Sequence, residues 1–373
     1  MSSTIGSSLK LSIFGQSHSQ AIGCVIDGLP AGIDVDLERV QAFLDRRAPG
    51  RDETATTRRE ADTAHVVSGI VEGCTCGAPI AIIIGNTNTR SRDYDELRSV
   101  PRPGHADWPA ALKYRRSNDV SGGGHFSGRL TAPLCAAGAI ALQVLETLGV
   151  TVAAHIADLG PSAIADEVLD PLELRPEQLA RIAANTLPAI SEGAARRMRE
   201  EIVDAKKDLD SVGGTIECVA YNVAAGLGDP MFDGMENRIA RIVYGIPAVK
   251  SVSFGAGEGV ARMRGSQNND ALCYKENGAI ASRTNNAGGI LGGITTGMPL
   301  IVRASVKPTP SIARQQQSVD LDARKSRTLV VKGRHDPCIL PRAVPVMEAA
   351  VALAVLDAYL DDASQTKEAP AWL

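Results

Sequence analysis

Three short loops place a histidine beside glycine, and histidine is the side chain that most often moves protons near neutral pH. Proline and glycine within four positions exclude a regular helix or strand around His105, so it lies in a loop. One loop histidine alone is commonly a solvated surface residue. The composition recurs around His18 and His335, however, and three of only six histidines predict a site assembled from several loops. The loops are FGQSHS at 14–19, PRPGHADW at 101–108 and KGRHDP at 332–337.

Arginine side chains accompany these loops. An exposed arginine is commonly solvated and contributes little by itself. Their shared placement in loops rich in glycine and proline favours a pocket, because a guanidinium group binds carboxylate or phosphate through two parallel hydrogen bonds. Such a pocket suits a small ligand that carries several of these anionic groups. The arginines are Arg46, Arg47, Arg102, Arg129 and Arg334.

Two segments are unusually rich in glycine. The first, SGGGHFS at 121–127, precedes a helix that we predict over residues 129–149, and a turn of this kind directs free backbone N–H groups at an anion. The second, NNAGGILGGI at 285–294, indicates that the backbone passes close to a ligand or to another part of the chain. Plain loop flexibility is the alternative for the second segment.

The elements that must position these loops alternate irregularly along the chain. Apolar runs predict strands, and Asp36 caps a helix that carries Val40 and Leu44 on one face. No G-x-G-x-x-G fingerprint indicates a dinucleotide-binding unit, and no linker divides the chain. We therefore expect one α+β domain over residues 1–373. The predicted strands lie at 25–26, 66–71, 80–84, 212–223, 249–254 and 300–306; further helices lie at 191–208 and, starting at Pro345, within 344–360.

Composition excludes several classes of protein. The chain has 373 residues, of which 44% are hydrophobic and 22% charged, and its net charge of −4 gives no reason to expect a nucleic-acid partner. The first residues lack the pattern of a secretory signal, and residues 344–360 are too short and too charged for a membrane span, so we expect a cytoplasmic protein.

Cysteine usage points the same way. In the cytoplasm we expect Cys24, Cys135, Cys218, Cys273 and Cys338 to be small buried hydrophobic residues rather than halves of disulfides. The tight CTC at 74–76 does not fit a zinc site, so no metal is expected.

Several long motifs, in one order, resemble the chorismate synthase family from about Ile5 to Leu360. Near the start, FGQSHS stands where the family has its Gly-Glu-Ser-His-Gly signature. The other motifs are RPGHAD at 102–107, DSVGG at 210–214, AGLGDP at 225–230, MRGSQNND at 263–270, NNAGGILGGI at 285–294, KGRHDPC at 332–338 and RAVP at 342–345.

The resemblance implies a β-α-β sandwich, with a helical core between antiparallel sheets, that assembles into a homotetramer. It implies a lyase that converts 5-enolpyruvylshikimate 3-phosphate to chorismate by trans-1,4 elimination of phosphate, in the shikimate pathway. The family uses reduced FMN without net oxidation, and NADPH is a candidate reductant. The substrate carries one phosphate and two carboxylates, which accounts for the arginines.

The resemblance also implies roles for individual residues. His105 would protonate the departing phosphate, His18 would protonate or stabilise the reduced flavin, and Asp336 would assist removal of the substrate proton. Substrate contacts fall on Ser17, Arg47, Arg102 and Arg129. Flavin contacts fall on His125, Phe126, Ser127, Pro247, Ala248, Gly292, Lys307, Pro308, Thr309, Pro310, Ser311 and Arg334.

The sequence departs from the family pattern at a few positions, so two alternatives stay open. Gln16 and Ser19 replace glutamate and glycine, and His125 stands where the family usually has an arginine. One alternative is a flavin-dependent lyase that acts on another phosphorylated cyclic acid. The other is a non-catalytic protein that binds flavin or anions, which the presence of both histidines and Asp336 argues against.

Overall fold

Two five-stranded antiparallel sheets enclose a layer of helices in the structure, a computed structural model that describes residues 3–49, 54, 61–86, 96–331, 333 and 335–366. The α-helices are α1 (Leu37–Arg47), α2 (Asp107–Lys113), α3 (Thr131–Thr147), α4 (Pro176–Ala184), α5 (Glu192–Lys207), α6 (Met235–Val243), α7 (Gly265–Asn268) and α8 (Leu340–Thr366).

The strands fall into these two sheets and four small hairpins. In chain order they are β1 (Thr4–Ile5), β2 (Lys10–Gly15), β3 (Ala21–Asp27), β4 (Ala64–Ser68), β5 (Ile70–Val71), β6 (Cys74–Thr75), β7 (Ile80–Gly85), β8 (Thr151–Leu159), β9 (Ile164–Ala165), β10 (Gly214–Tyr221), β11 (Val249–Phe254), β12 (Leu272–Tyr274), β13 (Ile280–Ser282), β14 (Ile290–Leu291), β15 (Ile294–Thr295), β16 (Leu300–Val306), β17 (Gln315–Asp320) and β18 (Lys325–Val330). The first sheet has the order β1-β2-β3-β7-β4 and the second β11-β16-β10-β8-β9.

The helical layer consists mainly of α3 and α8, which pack against each other between the sheets. Helix α3 contacts β3 and β7 of the first sheet, and α8 contacts β8 and β10 of the second. Alternate isoleucines of β7 (Ile80, Ile82 and Ile84) are fully buried, as a half-buried strand pattern predicts. The predicted sandwich of antiparallel sheets around helices is therefore confirmed.

The two central helices are apolar enough to resemble membrane spans. Residues Gly128–Thr147 and Leu340–Ala363 satisfy the length and hydropathy of a spanning helix, although the sequence analysis expected no such stretch. Most of each stretch is buried by the two sheets. Both are therefore core helices of this fold.

Several predicted boundaries were wrong. Helix α8 begins at Leu340, five residues before Pro345, which lies inside the helix and lacks the N–H of a normal turn. Burial of Val344 and Val346 offsets that missing bond. The predicted strand 66–71 is two strands, because the chain turns at Gly69, where φ is +87°.

The helix predicted over 129–149 is α3, which is preceded by a 3₁₀ turn at Gly128–Leu130. Asp36 caps α1 as predicted, and its carboxylate accepts hydrogen bonds from the N–H groups of Glu38 and Arg39. Among the cysteines, four are buried as predicted, but Cys273 is only half-buried because β12 belongs to a peripheral hairpin.

The start of the chain is held by α8. The buried carboxylate of Asp357 accepts hydrogen bonds from the backbone N–H groups of Ser7 (3.0 Å), Ser8 (2.9 Å) and Leu9 (2.7 Å). Three donors on one carboxylate fix the loop that leads into β2, and β2 leads directly to His18.

Gly138 of α3 lies against Ala349 of α8, and we expect Gly138→Ala to destabilise the protein by about 3 kcal/mol. A Cβ at position 138 would lie 2.2 Å from the Cβ of Ala349, so one helix would have to move. Gly193→Ala in α5 is the control: its nearest neighbours would be 3.5 Å away, and alanine favours helix by about 0.5–1 kcal/mol. Urea unfolding of both variants measures the difference, and equal stabilities would contradict this account of the α3–α8 contact.

A buried charge network crosses the second sheet. His155 of β8 lies opposite Glu217 of β10, which in turn lies opposite Arg303 of β16. The imidazole contacts Asp166 through Nδ1 (3.0 Å) and Glu217 through Nε2 (3.3 Å). Burial would lower the pKa of His155, but the two carboxylates outweigh burial and raise the pKa above its ordinary value.

We therefore expect stability to depend on pH through His155. Because the folded-state pKa is raised, the stabilisation is complete below about pH 6.5 and is lost as the pH rises through the folded-state value. Relative to His155→Gln, the wild-type free energy of unfolding should fall from pH 6.5 upward. Urea unfolding along a pH series measures the slope, with exposed His65→Gln as the control. Parallel curves for wild type and His155→Gln would refute the prediction.

Candidate active site

A turn of three glycines brings two of the predicted catalytic histidines together. Gly122, Gly123 and Gly124 all have positive φ, a conformation that glycine adopts without strain. A Cβ on Gly122 would lie 2.3 Å from the ring of His18, and one on Gly123 would lie 3.1 Å from Nε2 of His105. The missing side chains are therefore what allows both imidazoles to lie against this turn.

Ser17 joins the same turn. Its backbone N–H donates to the carbonyl oxygen of Gly124 at 3.0 Å, and its side chain is buried. A Cβ on Gly122 would lie 2.6 Å from the Ser17 hydroxyl oxygen. The loop after β2 and the glycine turn thus form one wall of the site.

The His105 loop is fixed by Asp107, the first residue of α2. Its carboxylate contacts Nδ1 of His105 at 2.6 Å and accepts from Nε of Arg102 at 2.7 Å. Burial would raise the pKa of Asp107, but hydrogen bonds from Arg102 and His105 outweigh burial and hold that pKa well below its usual range. Asp107 is therefore a permanent anion beside this pair.

A second loop, residues 307–311, meets the His105 loop. Arg102 donates from Nη1 to the hydroxyl of Ser311 (3.1 Å), and Lys307 donates from Nζ to the carbonyl oxygen of Gly104 (3.0 Å). The N–H of Lys307 donates to the carbonyl oxygen of Ala248 (3.0 Å). The predicted flavin contacts at 247–248 and 307–311 are thereby brought together beside His105.

Two of the predicted substrate arginines share one buried carboxylate. Arg47 and Arg129 each form an ion pair with Asp62, whose side chain is fully buried. Arg47 also donates from Nε to Thr131 (3.2 Å), and Arg129 donates from Nε to Asn86 (3.0 Å). Burial and the neighbouring Arg342 lower the pKa of Arg47 to about 10, so its guanidinium stays charged at neutral pH.

Asp336 reaches this arginine cluster through Arg342 of α8. The Arg342 guanidinium pairs with Asp336 through Nη1 and donates from Nε to the carbonyl oxygen of Arg47 (3.0 Å). The backbone N–H of Val212 donates to the carbonyl oxygen of Pro337 (2.9 Å), which ties the segment to the residues just before β10. Arg334 and Lys332 lie outside the described residues.

Three further predicted flavin contacts follow the glycine turn. His125 donates from Nδ1 to the carbonyl oxygen of Gly15 (2.7 Å), and its Nε2 accepts from the hydroxyl of Ser3 (2.8 Å). Phe126 lies against the ring of Tyr114, and Ser127 caps the 3₁₀ turn that precedes α3. Both ring nitrogens of His125 are thus engaged within the chain, and its flavin contact stays a prediction.

The glycine-rich segment 285–294 packs against other parts of the backbone. A Cβ would lie 2.3 Å from the backbone of Gly255 if placed on Gly288, and 2.3 Å from that of Asp229 if placed on Gly293. This confirms the interpretation that another chain segment comes close. Gly292 differs, since no described atom lies within 4 Å of the corresponding position.

One cavity lies beside the arginine cluster and away from the histidine loops. This cavity of about 430 Å³ is lined by Arg46, Arg342 and Glu348 rather than by the histidine loops. Arg46 and Glu348 form a two-fold ion pair there, at 2.6 and 2.9 Å. This cavity is therefore separate from the histidine site.

One group of carboxylates has the spacing of metal ligands within the described ranges. Asp229, Asp233 and Asp361 surround the guanidinium of Arg238, which lies 2.6 Å from both Asp233 and Asp361. Arg238 already supplies the cation that these acids need.

Sequence reasoning assigned no role to three of the residues that build the site. Asp107 and Arg342 stand in the RPGHAD and RAVP motifs, so their positions could have been noticed, whereas Asp62 carries no local pattern. Asp62 has a positive φ of 47°, uncommon for a residue with a side chain, and this is visible only in the structure.

Comparisons with known proteins point to one family. The family model described as "Chorismate synthase" matches residues 9–360. Chorismate synthase of Lancefieldella parvula is 46% identical over 366 residues, covering 96% of each chain, and that of Thermococcus kodakarensis is 45% identical over 355 residues, covering 95% of this chain and 97% of the relative. A solved structure titled "Crystal Structure of Chorismate Synthase" superimposes with a TM-score of 0.73 at 27% identity, covering 96% of this chain and 93% of that one.

Proposed function

The chain belongs to the chorismate synthase family and is a lyase that converts 5-enolpyruvylshikimate 3-phosphate to chorismate and phosphate, and we propose that it does so at the junction of the histidine loops. The reaction belongs to the shikimate pathway of aromatic amino acid biosynthesis. The observation that carries the proposed location is the contact of both His18 and His105 with one glycine turn.

The arginines bind the anionic groups of the substrate. Arg47 and Arg129 are held in place by Asp62, and Arg102 is held by Asp107, so each guanidinium is oriented before the substrate arrives. The substrate carries a phosphate and two carboxylates, which guanidinium groups bind in preference to neutral groups. Ser17 completes the proposed substrate contacts.

Each proton that moves is assigned to a residue of this chain. His105 gives a proton to the oxygen of the departing phosphate, which makes it a better leaving group. Asp336, oriented by Arg342, assists the loss of the substrate proton. His18 would protonate or stabilise the reduced flavin. The C–O bond to phosphate and the C–H bond break at the two ends of a four-carbon unit whose inner carbons share a double bond. That double bond is replaced by one at each end of the unit, so the product contains a conjugated diene.

The family uses a flavin, and we propose reduced FMN as the form bound here. The loop 307–311 fits such a group, because the buried hydroxyl of Thr309 has no hydrogen-bond partner within the described part of the chain. Lys307 and Ser311 supply a cation and a donor suited to phosphate, and the carbonyl oxygen of Ala248 accepts from the N–H of Lys307. When bound and reduced, the flavin supplies an electron and recovers it, so the reaction has no net redox change.

An anaerobic assay tests this proposal. The purified chain with 5-enolpyruvylshikimate 3-phosphate and chemically reduced FMN should release chorismate and phosphate in equal amounts, with many turnovers after one reduction. Sustained turnover with oxidised FMN and no reductant would reject the flavin requirement. A parallel reaction with NADPH as the only reductant shows whether the protein reduces its own FMN.

We also propose that the chain is a single domain that assembles into a cytoplasmic homotetramer. One hydrophobic core includes residues of both sheets, α3 and α8, which supports a single domain. Large apolar side chains are exposed at Phe232, Leu272 and Tyr274, which supports association between chains. Light scattering should give four times the chain mass of 39.1 kDa, and a monomer at assay concentration would reject the tetramer.

A further inference from the structure

The carboxylate of Asp107 makes four contacts with only two residues. Oδ2 accepts from the backbone N–H (3.0 Å) and Nε (2.7 Å) of Arg102. Oδ1 accepts from Nη2 of Arg102 (2.8 Å) and lies 2.6 Å from Nδ1 of His105. The side chain is almost fully buried, so water does not compete for either oxygen.

These distances decide which ring nitrogen of His105 carries the hydrogen. A neutral imidazole has one N–H and one lone pair. A lone pair on Nδ1 would face an ionised carboxylate oxygen at 2.6 Å and be repelled, whereas an N–H there makes a charge-assisted hydrogen bond. Nη2 of Arg102 also lies 3.0 Å from Nδ1, but it already donates to Oδ1 at 2.8 Å and does not need the imidazole as acceptor.

We infer that Asp107 is a positioning residue that keeps the hydrogen of neutral His105 on Nδ1 and so makes Nε2 the nitrogen that delivers protons. With Nδ1 occupied, the second proton of the imidazolium is carried by Nε2. That nitrogen lies beside Gly123, where a Cβ would come within 3.1 Å of it, and it lies 3.3 Å from Nη2 of Arg102. The inference rests on the proposed role of His105 toward the phosphate.

Asp107 has a second consequence for the same phosphate. The carboxylate binds Arg102 through two side-chain nitrogens, so one anion fixes both a guanidinium and an imidazole. A phosphate that pairs with Arg102 therefore meets Nε2 of His105 in a fixed orientation. Removing the charge of Asp107 should lower kcat more than it raises KM, since other arginines still bind the substrate.

The tautomer is measured directly from the ¹⁵N shifts of histidine side chains in labelled wild-type protein without cofactor or substrate. The His105 signals are assigned from their absence in His105→Gln. We expect the neutral ring of His105 to carry hydrogen on Nδ1 in the wild type. In Asp107→Asn this preference should weaken and kcat should fall by about 10²-fold or more, the lower end of what general acid catalysis contributes.

Two further variants separate positioning from simple structural damage. Asp107→Glu retains the charge, so it should keep the Nδ1–H tautomer and recover part of kcat. Asp322→Asn is the control, because it removes the carboxylate of an exposed ion pair with Arg116, which lies just after the C-terminal end of α2. It should leave the His105 spectrum and kcat unchanged.

Two results would overturn the inference: a neutral His105 with hydrogen on Nε2 in the wild type, or an unchanged tautomer and kcat in Asp107→Asn. If Asp107→Asn does not fold, the wild-type spectrum and Asp107→Glu still decide the matter. Wild-type turnover in His105→Gln would instead reject the proposed function of His105, whatever its tautomer.

Discussion

Turnover of His105→Gln is expected to fall by about 10²–10⁴-fold, the contribution typical of a general acid. Glutamine keeps a polar side chain of similar length but cannot transfer a proton. Substrate binding by Arg47, Arg102 and Arg129 should therefore persist, but the phosphate must leave without being protonated. The loss should therefore lie mainly in kcat, with a smaller change in KM. Steady-state kinetics under anaerobic conditions with reduced FMN measure both.

The matched control is His65→Gln, which makes the same chemical change at an exposed position of β4. It should retain wild-type kcat and KM. If His105→Gln kept more than about a third of wild-type kcat, His105 would have no part in proton transfer, because a general acid contributes far more than that.

Gly122→Ala is expected to lower kcat by about 10²-fold while the protein remains folded. The new Cβ would lie 2.3 Å from the His18 ring and 2.6 Å from the Ser17 hydroxyl oxygen, so the turn and the His18 loop must separate. A displacement of about 1 Å at a reacting group can cost 10²-fold in rate. Kinetics, together with urea unfolding, separate this local effect from global instability.

Gly73→Ala is the control for the backbone. Gly73 also has a positive φ, +83° against +60° at Gly122, but no described atom lies within 4 Å of its Cβ position. Alanine at a positive φ should therefore lower the free energy of unfolding of both variants by about 1–2 kcal/mol. Only Gly122→Ala should lose activity. Equal kcat in the two variants would show that the approach of His18 to the turn has no catalytic importance.

The secondary-structure elements were largely predictable because their signals are local, whereas the sandwich was predicted from the resemblance to a family. Apolar runs bounded by glycine, proline or asparagine identified strands such as β7, and the Asp36 cap marked the start of α1. The start of α8 was not predictable in this way. Pro345 resembles a first helical residue by its conformation, but the helix continues through it because its neighbours are buried on both sides by the sheets.

The site was only partly predictable, for a physical reason. Histidines and arginines in loops are visible along the chain, and their motif order resembles one family. The charged groups that hold them in place are distant in the sequence. Asp62 pairs with Arg129, 67 positions away, and Arg342, which pairs with Asp336, donates to the backbone of Arg47, 295 positions away. Such pairs depend on how the sheets and helices pack, which no local pattern in one sequence records.

The hold of Asp357 on the start of the chain has a consequence for biosynthesis. Helix α8 leaves the ribosome after every other described element, yet its carboxylate fixes residues 7–9, which lead toward His18. The same helix supplies Arg342 and the partner that α3 packs against. The loop that leads toward His18 therefore becomes fixed only after α8 has been synthesised. Until then, the apolar faces of the two sheets lack the helix that covers them in the folded protein. Ribosome-bound chains that stop before residue 340 should accordingly expose their apolar sheet faces and depend on chaperones until synthesis resumes.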